Sequence, residues 1–297
     1  MPSLYHNARA FFYRRVGVGF PPGHFYSPIV NKRELRKRTD EVFTNPPRQL
    51  PHIDLREDEQ LQLLEQFRLL YPSTPFTEEA HPERRYHYRA KDNVYSYSDA
   101  IMLHCMMRVF QPKRIVEVGS GFSSTVMLDT NDLFFSSSIH FTFIEPHPEI
   151  RFYRLLRHGE RQKLSILKST VQAVDIQVFD QLEANDILFI DSTHVSKAGS
   201  DVNHALFSIL PRLKAGVLIH FHDIFYPFEY RKDWVLNTAG FGWNESYLLR
   251  AFLMYNSDYE IVMFNTFLEH FHTDWFRENM PLCLKDTGGS IWLRKLK

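Results

Sequence analysis

Cysteine is scarce. Cys105 and Cys283 are too few for a disulfide scaffold or a four-thiolate zinc site. Net charge is absent as well, because 35 lysines and arginines balance 35 aspartates and glutamates over 297 residues. A neutral chain sets up no global field toward phosphate, so nucleic acid is not expected as a partner. No apolar run approaches the roughly 18 residues of a membrane span, so no membrane partner is expected either. Residues 1–17 lack the apolar stretch and small-residue cleavage site of a secretory leader, and a cytoplasmic location is expected. What the chain has in quantity is aromatic side chain (26 Phe, 14 Tyr) and histidine (15). Hydrophobic residues make up 44%, enough to fill a core, which excludes disorder of the whole chain.

Residues 1–50 read as irregular, because Gly19-Phe-Pro-Pro-Gly23 and Asn45-Pro46-Pro47 break both helix and strand. The basic run Lys32, Arg33, Arg36, Lys37, Arg38 reads as a solvated face. Asp54 and Glu57 resemble a capping box for a helix carrying Leu61, Leu64, Phe67 and Tyr71, which Pro72 ends. After a polar link, Ser98 is placed to cap a second helix, stopped by Pro112. From there apolar strands at 114–118, 141–145, 164–167, 186–191 and 216–221 alternate with helical segments at 123–130, 148–158, 175–183 and 201–213. That rhythm predicts parallel βαβ units with helices on both faces of a sheet. A helix capped by Asn244 and strands at 259–264 and 290–293 complete the expected elements.

In an open α/β sheet, ligands sit at the carboxyl ends of the strands. The first strand ends in Glu117-Val-Gly119-Ser120-Gly121-Phe-Ser123-Ser124. Two glycines let the backbone turn and approach a ligand closely, and the following helix N-terminus favours an anionic or polar group. The second strand ends in Glu145, where a carboxylate can accept both hydroxyls of a nucleoside ribose. A dinucleotide loop would carry a third glycine where Ser124 stands, and Glu117 would repel a pyrophosphate. An ammonium group beside Glu117 would instead be favoured.

These residues, with Asp186-Ile-Leu-Phe-Ile-Asp191 and the final strand pair, resemble the class I S-adenosylmethionine-dependent methyltransferases over about residues 95–295. The resemblance implies an α/β fold with a doubly wound, mostly parallel seven-stranded sheet, Rossmann-like, whose last strand is antiparallel. It implies a methyltransferase domain over residues 95–297 and, over residues 1–94, an added N-terminal region that caps the substrate. It also implies S-adenosyl-L-methionine as cofactor. The methionine part would lie on Glu117, Gly119, Ser120 and Gly121, the ribose on Glu145, and the adenine within Lys168–Gln172 at Val171, with Asp191 facing the cofactor from strand four.

Two further strand ends, Asp191-Ser-Thr-His194 and His220-Phe-His222-Asp223, converge on the same edge. Their positions resemble the metal-dependent branch typified by catechol O-methyltransferase, in which an aspartate after strand four and an Asp-Asn pair after strand five bind magnesium. Here His222-Asp223 replaces that pair, so Asp191, His222 and Asp223 form a candidate magnesium set. Without a metal, His194 or His222 would serve as general base beside Asp191. The expected reaction is methyl transfer to a small-molecule acceptor at oxygen. The alternatives are a nicotinamide-dependent oxidoreductase, a metal-dependent hydroxylase-like relative and a non-catalytic relative. The loops Phe225–Tyr230 and Gly242–Glu245 are expected to form an acceptor pocket or, equally, ordinary surface packing or a homodimer contact.

Overall fold

The computed structural model of the protein describes residues 19–95 and 97–297; the leader reading at 1–17 lies outside the described residues. Short helices α1 (Lys32–Lys37) and α2 (Thr39–Phe43) precede α3 (Glu57–Leu70) and α4 (Tyr97–Phe110). The basic run is therefore helical rather than irregular. Asn31 caps α1 by accepting from the backbone N–H of Arg33 and Glu34 at 3.1 and 3.3 Å, and Glu34 and Glu41 pair with Lys37 and Arg38.

Two expected caps take other roles. Asp54 accepts from the Arg56 N–H at 2.9 Å, and Arg56, with φ at 51°, opens α3 without a side-chain cap. Ser98 lies buried inside α4, where its hydroxyl donates to Glu269. The tertiary partner wins over the local cap in this second case.

The remaining helices are α5 (Phe122–Phe134), α6 (Phe152–Leu155), α7 (Gln177–Asp180), α8 (Asp201–His204), α9 (Lys232–Asn237), α10 (Glu245–Met254), α11 (Asn265–Phe271) and α12 (Thr273–Asn279). The segment expected as one helix at 201–213 is helical in three pieces, passing from α8 through a wider π-type stretch, Ala205–Ile209, into a 3-10 turn containing Pro211. Proline lacks the N–H that a continuous helix would need there.

Seven strands form one sheet: β1 (Arg114–Val118), β2 (His140–Ile144), β3 (Ser165–Leu167), β4 (Ile187–Ile190), β5 (Leu218–His222), β6 (Tyr259–Phe264) and β7 (Ser290–Lys295). Their order is β3-β2-β1-β4-β5-β7-β6. The first five run parallel, and β7 enters antiparallel between β5 and β6. All four residues of β4 are buried, as a central parallel strand covered on both faces requires. The order reverses between β1 and β4, which places the ligand crevice outside the ends of those two strands. Among the described residues no helix is long and apolar enough to cross a membrane.

Candidate functional site

The crevice opens where β1 gives way to its glycine loop. Gly119 has φ at +83°, and a Cβ there would stand 1.7 Å from the Asp191 carbonyl oxygen, so only glycine lets the ends of β1 and β4 approach. The Asp191 N–H donates to Val118 O at 2.9 Å and the Gly119 N–H to Ile144 O at 2.9 Å, lacing three strand ends together. Beyond the turn, the Gly121 N–H donates to Ser124 Oγ at 3.0 Å. A serine at the third-glycine position thus has a local task. Its hydroxyl and that of Ser123, at 2.6 Å for the latter, donate to the carboxyl of Glu117.

Glu117 is fully buried beneath this loop. Burial pushes its pKa up to about 8, while the two serine hydroxyls work in the opposite direction. Glu145 is half-buried at the end of β2, and its carboxylate accepts from the backbone N–H of Ser120 at 3.2 Å and of His147 at 2.8 Å. Those two bonds fix the carboxylate against the glycine loop.

Two cavities meet along this line. One, of about 350 Å³, is bordered by Thr170, Val171 and Gln172 together with Glu145, Asp191 and Ser192. The other, of about 660 Å³, is bordered by Gly119, Ser120 and Gly121 on one side and by His194, His222 and Asp223 on the other. Glu145 and Asp191 border both cavities. Val171, expected at the adenine, begins a 3-10 turn after β3 and lies on a wall of the smaller cavity.

The titratable cluster sits across from the glycine loop. His194, 3% exposed and with φ at 58°, is held at both ring nitrogens. Nδ1 lies 2.8 Å from Glu245 Oε2, and Nε2 lies 3.4 Å from Asp191 Oδ1 and 3.5 Å from Asp223 Oδ2. The His194 carbonyl accepts from the N–H groups of Asn244 and Glu245 at 3.0 and 3.2 Å, which clamps the loop to the start of α10. Asn244, expected to cap that helix, instead uses its side chain to bind Ser196 in both directions, at 2.6 and 3.2 Å.

Burial alone would drive the proton off His194, but the carboxylates of Asp191 and Glu245 outweigh it and hold its pKa well above the ordinary value. His222 is raised too: burial opposes, and Asp223, Asp191 and Asp99 prevail. Burial raises Asp223 against the pull of both histidines, whereas for Asp191 His222 and His194 overcome burial and lower it.

Among the described residues, the donors that converge within 4.8 Å are those of Asp191, His194 and Asp223. His194 thus stands where His222 was expected from the strand-end pattern. The His222 ring packs 5.0 Å from Tyr95, and its Nε2 comes only to 3.7 Å from Asp223 Oδ1. His220, on the same strand face, stacks 3.9 Å from Phe189 with both ring nitrogens unpartnered and its pKa driven well down by burial. It is a packed, neutral core residue.

Sequence reasoning missed Glu245 and Asp99. The Asp99 carboxylate accepts from the Gly289 N–H at 3.1 Å and the Ser290 hydroxyl at 3.2 Å, and burial lifts its pKa to about 6. The expected helix N-terminus at Asn244 is a signal for neighbouring Glu245; for Asp99, inside an apolar helix, there is none.

The family described as a methyltransferase domain matches residues 116–224. An uncharacterized protein of Archaeoglobus fulgidus is 36% identical over 186 residues, covering 59% of this chain and 78% of that protein. Among solved structures, a putative O-methyltransferase from Klebsiella pneumoniae aligns with a TM-score of 0.46 and 16% identity, over 80% of this chain and 99% of its own. A methyltransferase from Podospora anserina, solved with bound S-adenosylhomocysteine, aligns with a TM-score of 0.43 and 13% identity, over 90% of this chain and 97% of its own. The matched domain runs from within β1 to just past β5, so the carboxyl ends of the five parallel strands fall inside it. The nicotinamide alternative is set aside, since Ser124 and the buried Glu117 occupy the positions where a pyrophosphate loop needs a glycine and no carboxylate. The chain thus carries a methyltransferase domain over residues 116–224.

Proposed function

We propose that the protein methylates an oxygen of a small-molecule acceptor, with Asp223 receiving the hydroxyl proton and His194 steadying the oxyanion. The observation that carries this reading is the His194 ring, fixed by Glu245 at one nitrogen and facing Asp191 and Asp223 with the other. An imidazolium in that position lowers the pKa of a nearby hydroxyl, and a half-buried carboxylate with a raised pKa is a better base than an exposed one. The acceptor oxygen then attacks the sulfonium methyl carbon. The carbon–sulfur bonding pair returns to sulfur, S-adenosylhomocysteine leaves, and the proton rests on Asp223. Most of the remaining acceleration comes from holding oxygen, carbon and sulfur in line.

In this reading the methionine part of the cofactor lies on Glu117, Gly119, Ser120 and Gly121, the ribose at Glu145, and the adenine in the smaller cavity at Val171. His222, on the wall of the larger cavity, reinforces the positive charge facing the acceptor. Residues 41–47 of the N-terminal region border a neighbouring cavity and act as its cap.

A second reading has its own support in the convergent donors of Asp191, His194 and Asp223. Two carboxylates and one imidazole suit a divalent cation such as magnesium, which would polarise the acceptor hydroxyl when bound. His194 would then contribute Nε2 as a ligand in place of carrying a proton there.

The test uses S-adenosylmethionine labelled with 13C in its methyl group, offered with hydroxyl, amine and thiol acceptors, before and after chelation. A methoxy carbon in the product NMR spectrum supports the reading, and a methylated nitrogen or sulfur overturns it. Asp223→Asn is expected to slow turnover by about 10²–10⁴ with S-adenosylhomocysteine affinity retained. Activity abolished by chelation and restored by magnesium selects the metal reading.

A further inference from the structure

Beside the catalytic cavity lies another of about 600 Å³, and the two share Phe225, Arg231 and Thr287 in their walls. It is enclosed by the Glu41–Pro47 stretch of the N-terminal region, the loop after β5, and side chains from α10 and α11. Its charges are unequally committed. Of the acidic side chains, Glu41 is paired with Arg38. Glu229 accepts from the Tyr247 hydroxyl at 2.5 Å and from the Tyr230 N–H at 3.0 Å. Glu269 is buried and accepts from Ser98, and burial pushes its pKa up to about 8, which leaves it uncharged at neutral pH.

The cations stand otherwise. Arg250, half-buried on α10, has no hydrogen-bond or ion-pair partner among the described residues, and neither has Lys232. Arg231 has one ion-pair partner among the described residues, Asp233 at 3.3 Å in solvent, lies 5.4 Å over the Trp234 ring, and borders the catalytic cavity. A half-buried guanidinium without a hydrogen-bonded carboxylate is costly to keep; Glu229 on the same wall feels the Arg250 charge but makes no hydrogen bond to it.

Resting on the proposed acceptor chemistry, we infer that the methyl acceptor is an anion: a molecule whose hydroxyl reaches Asp223 while a carboxylate or phosphate group occupies the neighbouring cavity, bound by Arg250 and Arg231. The planar guanidinium fork suits either group. Arg231, on the shared wall, is placed to meet the ligand where it passes from one cavity to the other. Arg250 sets the specificity for charge.

The experiment is calorimetric titration of the S-adenosylhomocysteine-loaded protein with benzoate, phenyl phosphate and, as the neutral control, benzyl alcohol. At least one anion is expected to bind at least tenfold more tightly than benzyl alcohol, and the tighter of the two identifies the anionic group. Arg250→Gln is expected to weaken that anion on the order of ten- to a hundredfold. Arg231→Gln, an exposed substitution that spares the fold, is expected to weaken it in the same direction. Anions that bind no better than benzyl alcohol overturn the inference, as does binding that neither substitution weakens. Failure of the unliganded wild-type protein to bind S-adenosylhomocysteine would overturn the methyltransfer reading itself, a result separate from either of these.

Discussion

Gly119→Ala tests whether the crevice depends on two strand ends being closer than a side chain allows. Two costs are expected. The left-handed backbone, with φ at +83°, costs an L-residue about 1–2 kcal/mol. The new methyl would also stand 1.7 Å from the Asp191 carbonyl oxygen, about half an ordinary non-bonded separation, so the strand ends must part. Overpacking of that kind costs about 1–3 kcal/mol more.

Gly159 provides the internal control, because it has φ at +79° and nothing lies within 4 Å of the point where a Cβ would stand. Gly159→Ala therefore carries the backbone cost without the clash. The difference in melting temperature between the two variants, on the order of 5 °C, reports the clash alone. Differential scanning calorimetry measures it, and titration with S-adenosylhomocysteine measures its consequence. Gly119→Ala is expected to lose at least tenfold in affinity while Gly159→Ala keeps wild-type affinity. Equal melting temperatures with equal affinities would refute the close approach as a requirement of the site.

Glu145→Ala removes the acceptor shared by the Ser120 and His147 N–H groups, and titration should show cofactor affinity falling at least tenfold. Glu117 binds a proton in the folded protein up to about pH 8 but only to about 4.5 when unperturbed. Its contribution to stability is thus complete below pH 4.5 and is lost as pH rises through 8. Glu117→Gln should flatten the decline of melting temperature over that window, with Glu269 and, up to about pH 6, Asp99 still contributing to it. Glu245→Gln withdraws a carboxylate that keeps His194 protonated, so the alkaline limb of the kcat/KM profile should move to lower pH. An unmoved limb would show that His194 is not the group titrating there.

Much of this architecture is legible in the chain because parallel strands buried on both faces leave continuous apolar runs, as Ile187–Ile190 does. The residues closing each run then fall at the ligand edge by topology, which is how Gly119, Glu145, Asp191 and Asp223 are reached from sequence. Contacts between distant segments leave no such trace. Glu245 meets His194 across 51 residues, and Asp99 meets Gly289 across 190. The helices α9, α11 and α12 escape a reading of the sequence, being six or seven residues long and dense in aromatics that also suit strands. The same long-range pairing explains Ser98, whose capping pattern is real in the sequence but whose hydroxyl finds Glu269 first.

The position of β7 has a consequence beyond the sheet. Because it lies between β5 and β6, the last strand in the chain is the only bridge by which β6 joins the sheet among the described residues. The five parallel strands pair with one another directly, whereas β6 is held to them through β7 alone. The start of β7 also carries Gly289 and Ser290 to the Asp99 carboxylate on the cavity wall. The same strand therefore closes the sheet and completes the crevice wall, so a change that loosens β7 reaches the site as well as the core.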